Sequence, residues 1–164
     1  MFRILAGLTV PAFAVPVLAG LALAGPAMAE EPLWMPDPAG GTSIMLADCA
    51  DCASAQARLV LACVPGGVRI APAASLPATG VSCPAAVEIL FRVDSDSFPR
   101  LGTASFDEAS SLCAVETVVR PTDPLVYALR RGRALVAAPA GGAALETPLG
   151  GSNQAIAGLL AECG

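Results

Sequence analysis

The chain is expected to fold as an α+β domain: a mainly antiparallel β-sheet or sandwich with two short helices late in the chain, stapled by disulfides. Three observations carry that expectation. Val87, Ile89, Phe91 and Val93 alternate with Glu88, Arg92 and Asp94, as in a strand with one buried and one wetted face. Ile156, Leu159, Leu160 and Cys163 recur at i, i+3, i+4 and i+7, the single apolar stripe of a packed helix. The six Cys, at 49, 52, 63, 83, 113 and 163, all follow an export signal, and an even count in an exported chain reads as a disulfide framework.

The export signal occupies residues 1–29. Arg3 gives a short positive start, residues 4–24 carry no charge, and Ala27-Met28-Ala29 supplies a small-x-small cleavage pattern before Glu30. The apolar run is long enough to span a bilayer. Gly7, Pro11, Pro16, Gly20 and Gly25 break it, however, and no basic stop-transfer cluster follows. Cleavage after Ala29 is therefore expected, with no Cys at the junction for lipid attachment. Removing 29 of 164 residues leaves 135, enough for one domain with a modest core that profits from covalent help. The reading is an extended Pro/Gly-rich arm over 30–43, then a single disulfide-bonded domain over 44–164, periplasmic or secreted.

Charge and residue inventory exclude several functions. Without Arg3, eight Arg face fourteen Asp and Glu. An acidic surface repels phosphate backbones and anionic membranes, so neither nucleic acid nor stable membrane insertion is expected. The chain has no His, which excludes Ser-His-Asp and Cys-His catalysis and the commonest zinc sites. It also has no Lys, which excludes Schiff-base chemistry and the P-loop lysine. No catalytic residue, cofactor or metal site is assigned.

The arm 30–43 is punctuated by Pro32, Pro36, Pro38, Gly40 and Gly41 and holds the single Trp, Trp34. Such flanks favour extended backbone, with Trp34 plugging the edge of the core or acting as a docking hook. Residues 56–64 read as a strand with Leu59, Leu61 and Cys63 on one face and Arg58, Val60 and Ala62 on the other. Pro65-Gly66-Gly67 turns the chain into a second strand from Val68, a hairpin. Residues 71–80 read as a loop. After the strand 87–94, Asp94-Ser95-Asp96-Ser97 followed by Pro99 reads as a turn before a partner strand over 101–106, and 115–119 is β-branched and extended. Thr122 or Asp123 caps a helix with Pro124 in its first turn. That helix ends in Arg130, Arg131 and Arg133, where cations suit the helix dipole. Strands over 134–138 and 145–149 precede the last helix, capped by Ser152.

Four features invite a chemical reading. Cys49-Ala50-Asp51-Cys52 has redox spacing, but Asp48 and Asp51 disfavour a thiolate, and the compartment argues for a structural disulfide. Asp94, Asp96, Asp107 and Glu108 form the densest acidic region, yet a calcium loop begun at Asp94 would have Pro99 where Gly is needed and Ser105 where Glu is needed. A pair for glycoside hydrolysis would need an apolar pocket to raise one carboxyl. Arg130, Arg131 and Arg133 suit a solubilising helix end or an anionic ligand, and with Trp34 they are the candidate partner contacts. Gly150-Gly151-Ser152 has the look of a phosphate cradle without its Lys or its parallel strand.

The order of motifs resembles one family. Leu59-x-Leu61-x-Cys63 is followed by Phe91-Arg92-Val93-Asp94, then Pro124-Leu125-x-x-x-Leu129. The series closes with Leu149-x-Gly151-Ser152-x-x-Ala155-Ile156-x-x-Leu159-x-x-x-Cys163. This is similar to the VasI/TagO-like periplasmic accessory proteins of type VI secretion, over roughly residues 42–163. The invasion-associated locus B family, exported and ending in a Gly-x-x-x-Ala-x-x-x-Leu helix, is a second and poorer match. The resemblance implies a non-enzymatic exported envelope protein that binds a protein or cell-envelope partner, with a secretion accessory as the specific form. The competing readings are a thiol-disulfide enzyme working through Cys49 and Cys52, and an inhibitor or immunity-type protein of an envelope hydrolase.

Six Cys allow about 15 connectivities. The expected map is Cys49–Cys52, Cys83–Cys113 and Cys63–Cys163. A hairpin folded near Ser97 sets Val87 opposite residue 107 and brings Cys83 within two positions of Cys113. Cys63 shares the Leu59 and Leu61 face, and Cys163 shares the Ile156 and Leu160 stripe, so packing of that helix on that strand joins them.

Overall fold

The computed structural model describes residues 32–80 and 82–163; the expected leader, residues 1–29, lies outside them. The described residues form one 10-stranded antiparallel sheet and two α-helices. The strands are β1 (Leu33–Pro36), β2 (Ser43–Ala47), β3 (Leu59–Val64), β4 (Gly67–Pro72), β5 (Ser75–Pro77), β6 (Val87–Val93), β7 (Asp96–Asp107) and β8 (Leu112–Val119). After α1 (Pro124–Arg131) come β9 (Ala134–Pro139), β10 (Leu145–Pro148) and α2 (Ser152–Glu162). The spatial order is β1-β2-β3-β4-β8-β7-β6-β9-β10, with β5 pairing on β8. The sheet is continuous rather than a sandwich of two.

Its inner face holds the main core. Leu59, Leu61, Ile70, Ile89, Phe91, Val115 and Leu135 pack there against Leu125, Leu129, Ile156 and Leu159 of the helices. A smaller cluster of Met45, Ala47, Cys52, Ala57 and Val60 lies apart, on the opposite face of β2 and β3 by the alternation of the strands. Both faces of these two strands are buried, which is why Ile44 to Ala47 and Leu59 to Ala62 are unbroken apolar runs.

Several elements differ from expectation. The arm is extended as expected, but Leu33 to Pro36 go further and pair with Ala47 to Ile44 as an edge strand, where Pro36 needs no ladder donor. The strand expected over 56–64 begins at Leu59, after a 3-10 turn at Ser54–Gln56. The loop 71–80 contains β5, whose Leu76 is buried opposite Cys113; three residues are too few to show a period. The strand expected over 115–119 starts at Leu112.

The hairpin turn falls within the expected 94–97 segment but is centred on Asp94-Ser95 rather than near Ser97, so Val87 faces Gly102 instead of Asp107. Pro99 does not break β7, since the pairing with β8 covers only Thr103 to Asp107 and leaves that side of β7 open at residue 99. Ser152 is not the cap of α2. Gly151 holds that place at φ 77°, a left-handed conformation natural to glycine, and the Ser152 hydroxyl donates to the Arg130 carbonyl at 3.3 Å instead.

The start of α1 follows its sequence signals. Pro124 occupies the first turn, and the Asp123 carboxylate accepts from Leu125 N at 2.8 Å. Asp123 also receives the Arg100 guanidinium, tying the helix to β7. Asp123→Ala removes a cap and strips a half-buried Arg of its partner together. The expected loss is about 2 kcal/mol, read by urea denaturation, with Asp123→Asn recovering the cap share alone.

Candidate partner-binding surface

The three bridges fix the frame on which the candidate contacts sit. Cys63–Cys163 joins the end of β3 to the end of α2, and Cys83–Cys113 joins the 82–86 segment to the start of β8. Cys49–Cys52 closes a tight loop after β2. The pairings are those expected, although the second does not arise from the expected register. Cys113 lies opposite Phe106 on β7 and Leu76 on β5, and the bridge reaches it from outside the ladder. The Cys49–Cys52 loop is followed by a three-residue 3-10 turn rather than a long helix, so no extended helix dipole acts on these sulfurs. Cys49 is exposed and Cys52 is buried.

The three arginines of the 130–133 segment do not act together. Arg130 turns toward α2, where its Nη2 donates to Asn153 Oδ1 at 3.2 Å. With Arg133 it lines a shallow groove against Gly150, Gly151 and Asn153. Arg131 lines a different cleft of about 380 Å³ between α1 and the β6–β7 hairpin, together with Asp94, Asp96, Phe98 and Tyr127. Trp34 is half-buried and packs on the main core. It stands close to Gly151, on the Arg130 side.

Tyr127 is an exposed aromatic on this surface that the sequence reading did not single out. It is 58% exposed, four residues before Arg131 on the outward face of α1. The Arg131 guanidinium donates to the Tyr127 hydroxyl and stacks at 5.3 Å from its ring centroid, a cation–π contact that holds both side chains in place. The i,i+4 spacing of a ring and a cation was the available signal.

The acidic region divides between the two ends of the 12-residue β7, a strand about 40 Å long at the usual rise. At one end the Asp94 carboxylate accepts from Arg133 N at 3.0 Å and Ala134 N at 3.1 Å, tying the hairpin turn to the start of β9. At the other, Asp107 accepts from Ser110 Oγ at 2.6 Å and Ala109 N at 3.2 Å. No cluster of three or more His, Cys, Asp or Glu side chains suited to a metal ion occurs among the described residues.

The Ser110 hydroxyl, then the Ala109 amide, hold the Asp107 carboxyl below its ordinary pKa, because both bonds favour the charged form. A depressed folded-state pKa contributes stability above the unfolded value, lost as pH falls through the folded one. Exposure keeps the contribution small. In a carboxyl-detected NMR titration Asp107 should ionise at lower pH than an unstructured Asp, and Ser110→Ala should move its midpoint upward. An unmoved midpoint would remove the hydroxyl as the cause.

No protein-family model matches the chain, and no curated protein matches its sequence. Among solved structures, it is similar to the crystal structure of invasion associated protein B from Bartonella henselae. The identity is 16% and the TM-score 0.37, with 79% of this chain and 97% of that chain covered. The likeness falls on the second of the two families named from the sequence and is a weak one. The disulfides, and the lack among the described residues of a helix long and apolar enough to cross a membrane, are compatible with export.

Proposed function

We propose that the chain is an exported, non-enzymatic docking domain of the cell envelope, whose partner seats on the outward face of α1 around Tyr127 and Arg131. The observation that carries this reading is the exposed, pre-positioned Tyr–Arg pair beside an open cleft. Tyr and Arg are the side chains over-represented at interface hot spots. Biasing them toward one arrangement before contact lowers the ordering cost of binding. The bridges serve the same end, since a stapled frame presents the pair in one geometry.

Within that reading, the motif resemblance to type VI accessory proteins makes a secretion component the specific partner to look for. A hydrolase recovered in its place would mark an inhibitor or immunity-type protein. The test is capture from an envelope extract on the native chain and on a Tyr127→Ala, Arg131→Ala double variant. The native chain should retain a defined partner and the double variant at least tenfold less, the scale of hot-spot loss. Equal retention by both would overturn the assignment of the surface.

A further inference from the structure

We propose that Cys49 and Cys52, once reduced, form with Met35 and Met45 a four-sulfur site for a soft monovalent cation, Cu(I). Met35 and Met45 are direct cross-strand partners on β1 and β2, so their side chains share one face of the sheet. Met45 and Cys52 belong to one buried cluster, against which Met35 packs. All three border an open groove of about 530 Å³ with Pro36, Pro38 and Asp51. The described residues contain the six Cys and two of the four Met of the chain. Three of those eight sulfur atoms thus border this one groove, and the fourth, that of Cys49, is bonded to the sulfur of Cys52.

That donor set is selective. Thiolate and thioether sulfur are soft ligands that favour Cu(I) over harder divalent ions. The chain offers no His to compete. The Asp51 carboxylate at the rim adds negative charge, which favours a cation.

Opening the bridge leaves the frame in place. Ser54 Oγ donates to the Asp37 carboxylate at 2.7 Å, Arg58 Nε to Asp48 at 2.7 Å, and Arg58 N to the Leu46 carbonyl at 2.7 Å. Together they tie the 48–57 segment to the β1–β2 turn and to β2, and close its two ends, independently of the disulfide. A thiolate of an external dithiol attacks the exposed Cys49 sulfur, and the S–S bond breaks with Cys52 leaving. The second thiol of the reductant then displaces Cys49 and closes its own disulfide. Two electrons pass to the chain, which ends with two thiols, and Cu(I) binding releases their two protons.

The test is anaerobic reduction of the full chain with a mild dithiol, under conditions where mass mapping shows Cys49–Cys52 open and the other two bridges closed. Cu(I) is then titrated against a chromophoric Cu(I) chelator. The expected result is one Cu(I) per chain, held at least tenfold more tightly than by the oxidised protein. A Met35→Leu, Met45→Leu variant, which conserves side-chain volume, should lose at least about tenfold, since even outer-shell partners matter on that scale. X-ray absorption on the native copper-loaded chain should show four sulfur neighbours, a readout that does not depend on how the variants fold. Equal Cu(I) retention by the oxidised chain or the Leu variant, or a shell of only two sulfurs, would overturn the site. So would a Cys49–Cys52 bridge that opens only together with the other two.

Discussion

Cys163→Ser is expected to lower stability by about 4 to 5 kcal/mol, against about 1 to 2 for Cys52→Ser, in the chain-entropy account of disulfides. The two bridges differ in what they do to the unfolded chain. Cys63–Cys163 spans a separation of 100 residues, and Cys49–Cys52 a separation of 3. Closing the long loop removes far more conformations from the unfolded ensemble. Cys83–Cys113, with a separation of 30, falls between, at about 3 to 4 kcal/mol. The long bridge also fastens α2 to β3, so its loss frees the end of the helix that brings Ile156 and Leu159 to the core. Total stability of a domain this size is about 5 to 15 kcal/mol, so the Cys163 variant is expected to lie near the threshold of folding. Urea denaturation of Cys52→Ser, Cys113→Ser and Cys163→Ser should rank them in loop order. A Cys163→Ser protein that melts like the native chain would remove the long bridge from the account.

Phe91→Ala is the second large effect, about 3 to 5 kcal/mol, the usual range for truncating a buried aromatic side chain. Phe91 is wholly buried at the middle of β6, flanked by Phe98 on β7 and Ala137 on β9. Neighbours held by ladders on both sides cannot close the space it leaves. Leu90→Ala, one residue earlier, should cost less than about 1 kcal/mol, because an outward side chain sits in largely unchanged surroundings after truncation. Leu90 points away from the main core and is 38% exposed, beside Pro99 and Ala138. The contrast tests the pleat itself, since a one-residue slip would exchange the two faces. A Leu90 variant as damaged as the Phe91 variant would show that the outer face is covered.

What could be read from the residues depended on how many faces each element buries. The strand over β6 was legible because only one of its faces is buried, and Leu90 is its single interruption. The helices were legible from their caps and stripes, Asp123-Pro124 for α1 and Ile156 to Cys163 for α2. On β3 the assignment of Val60 to the face opposite Leu59 and Leu61 was correct, but both faces of β2 and β3 are buried, so the apolar runs gave no sign that Val60 and Met45 would meet in a second core. Thus the second core stayed hidden, and with it the meeting of Met35, Met45 and Cys52.

Turn residues misled in one place. The turn was expected over Asp94 to Ser97, but its axis was set near Ser97, whereas Asp94 takes the turn at φ 53°, where Asp is among the better-tolerated side chains. The Cys83–Cys113 pairing was therefore expected from an incorrect register. The candidate site was legible in part. Arg131 was named for its charge, but grouping it with Arg130 and Arg133 ignored the helical turn that sends adjacent residues to different faces. Tyr127 was not singled out, although its i,i+4 spacing to Arg131 was visible in the sequence.

The account rests on an exported chain locked by three disulfides. Intact-mass analysis and non-reducing peptide mapping of the protein recovered outside the cytoplasm test both parts together. The expected product starts at Glu30 and gives three linked peptide pairs, Cys49 with Cys52, Cys63 with Cys163, and Cys83 with Cys113. A product that retains residues 1–29 in the membrane, carries free thiols at these positions, or joins Cys63 to Cys83 would contradict it.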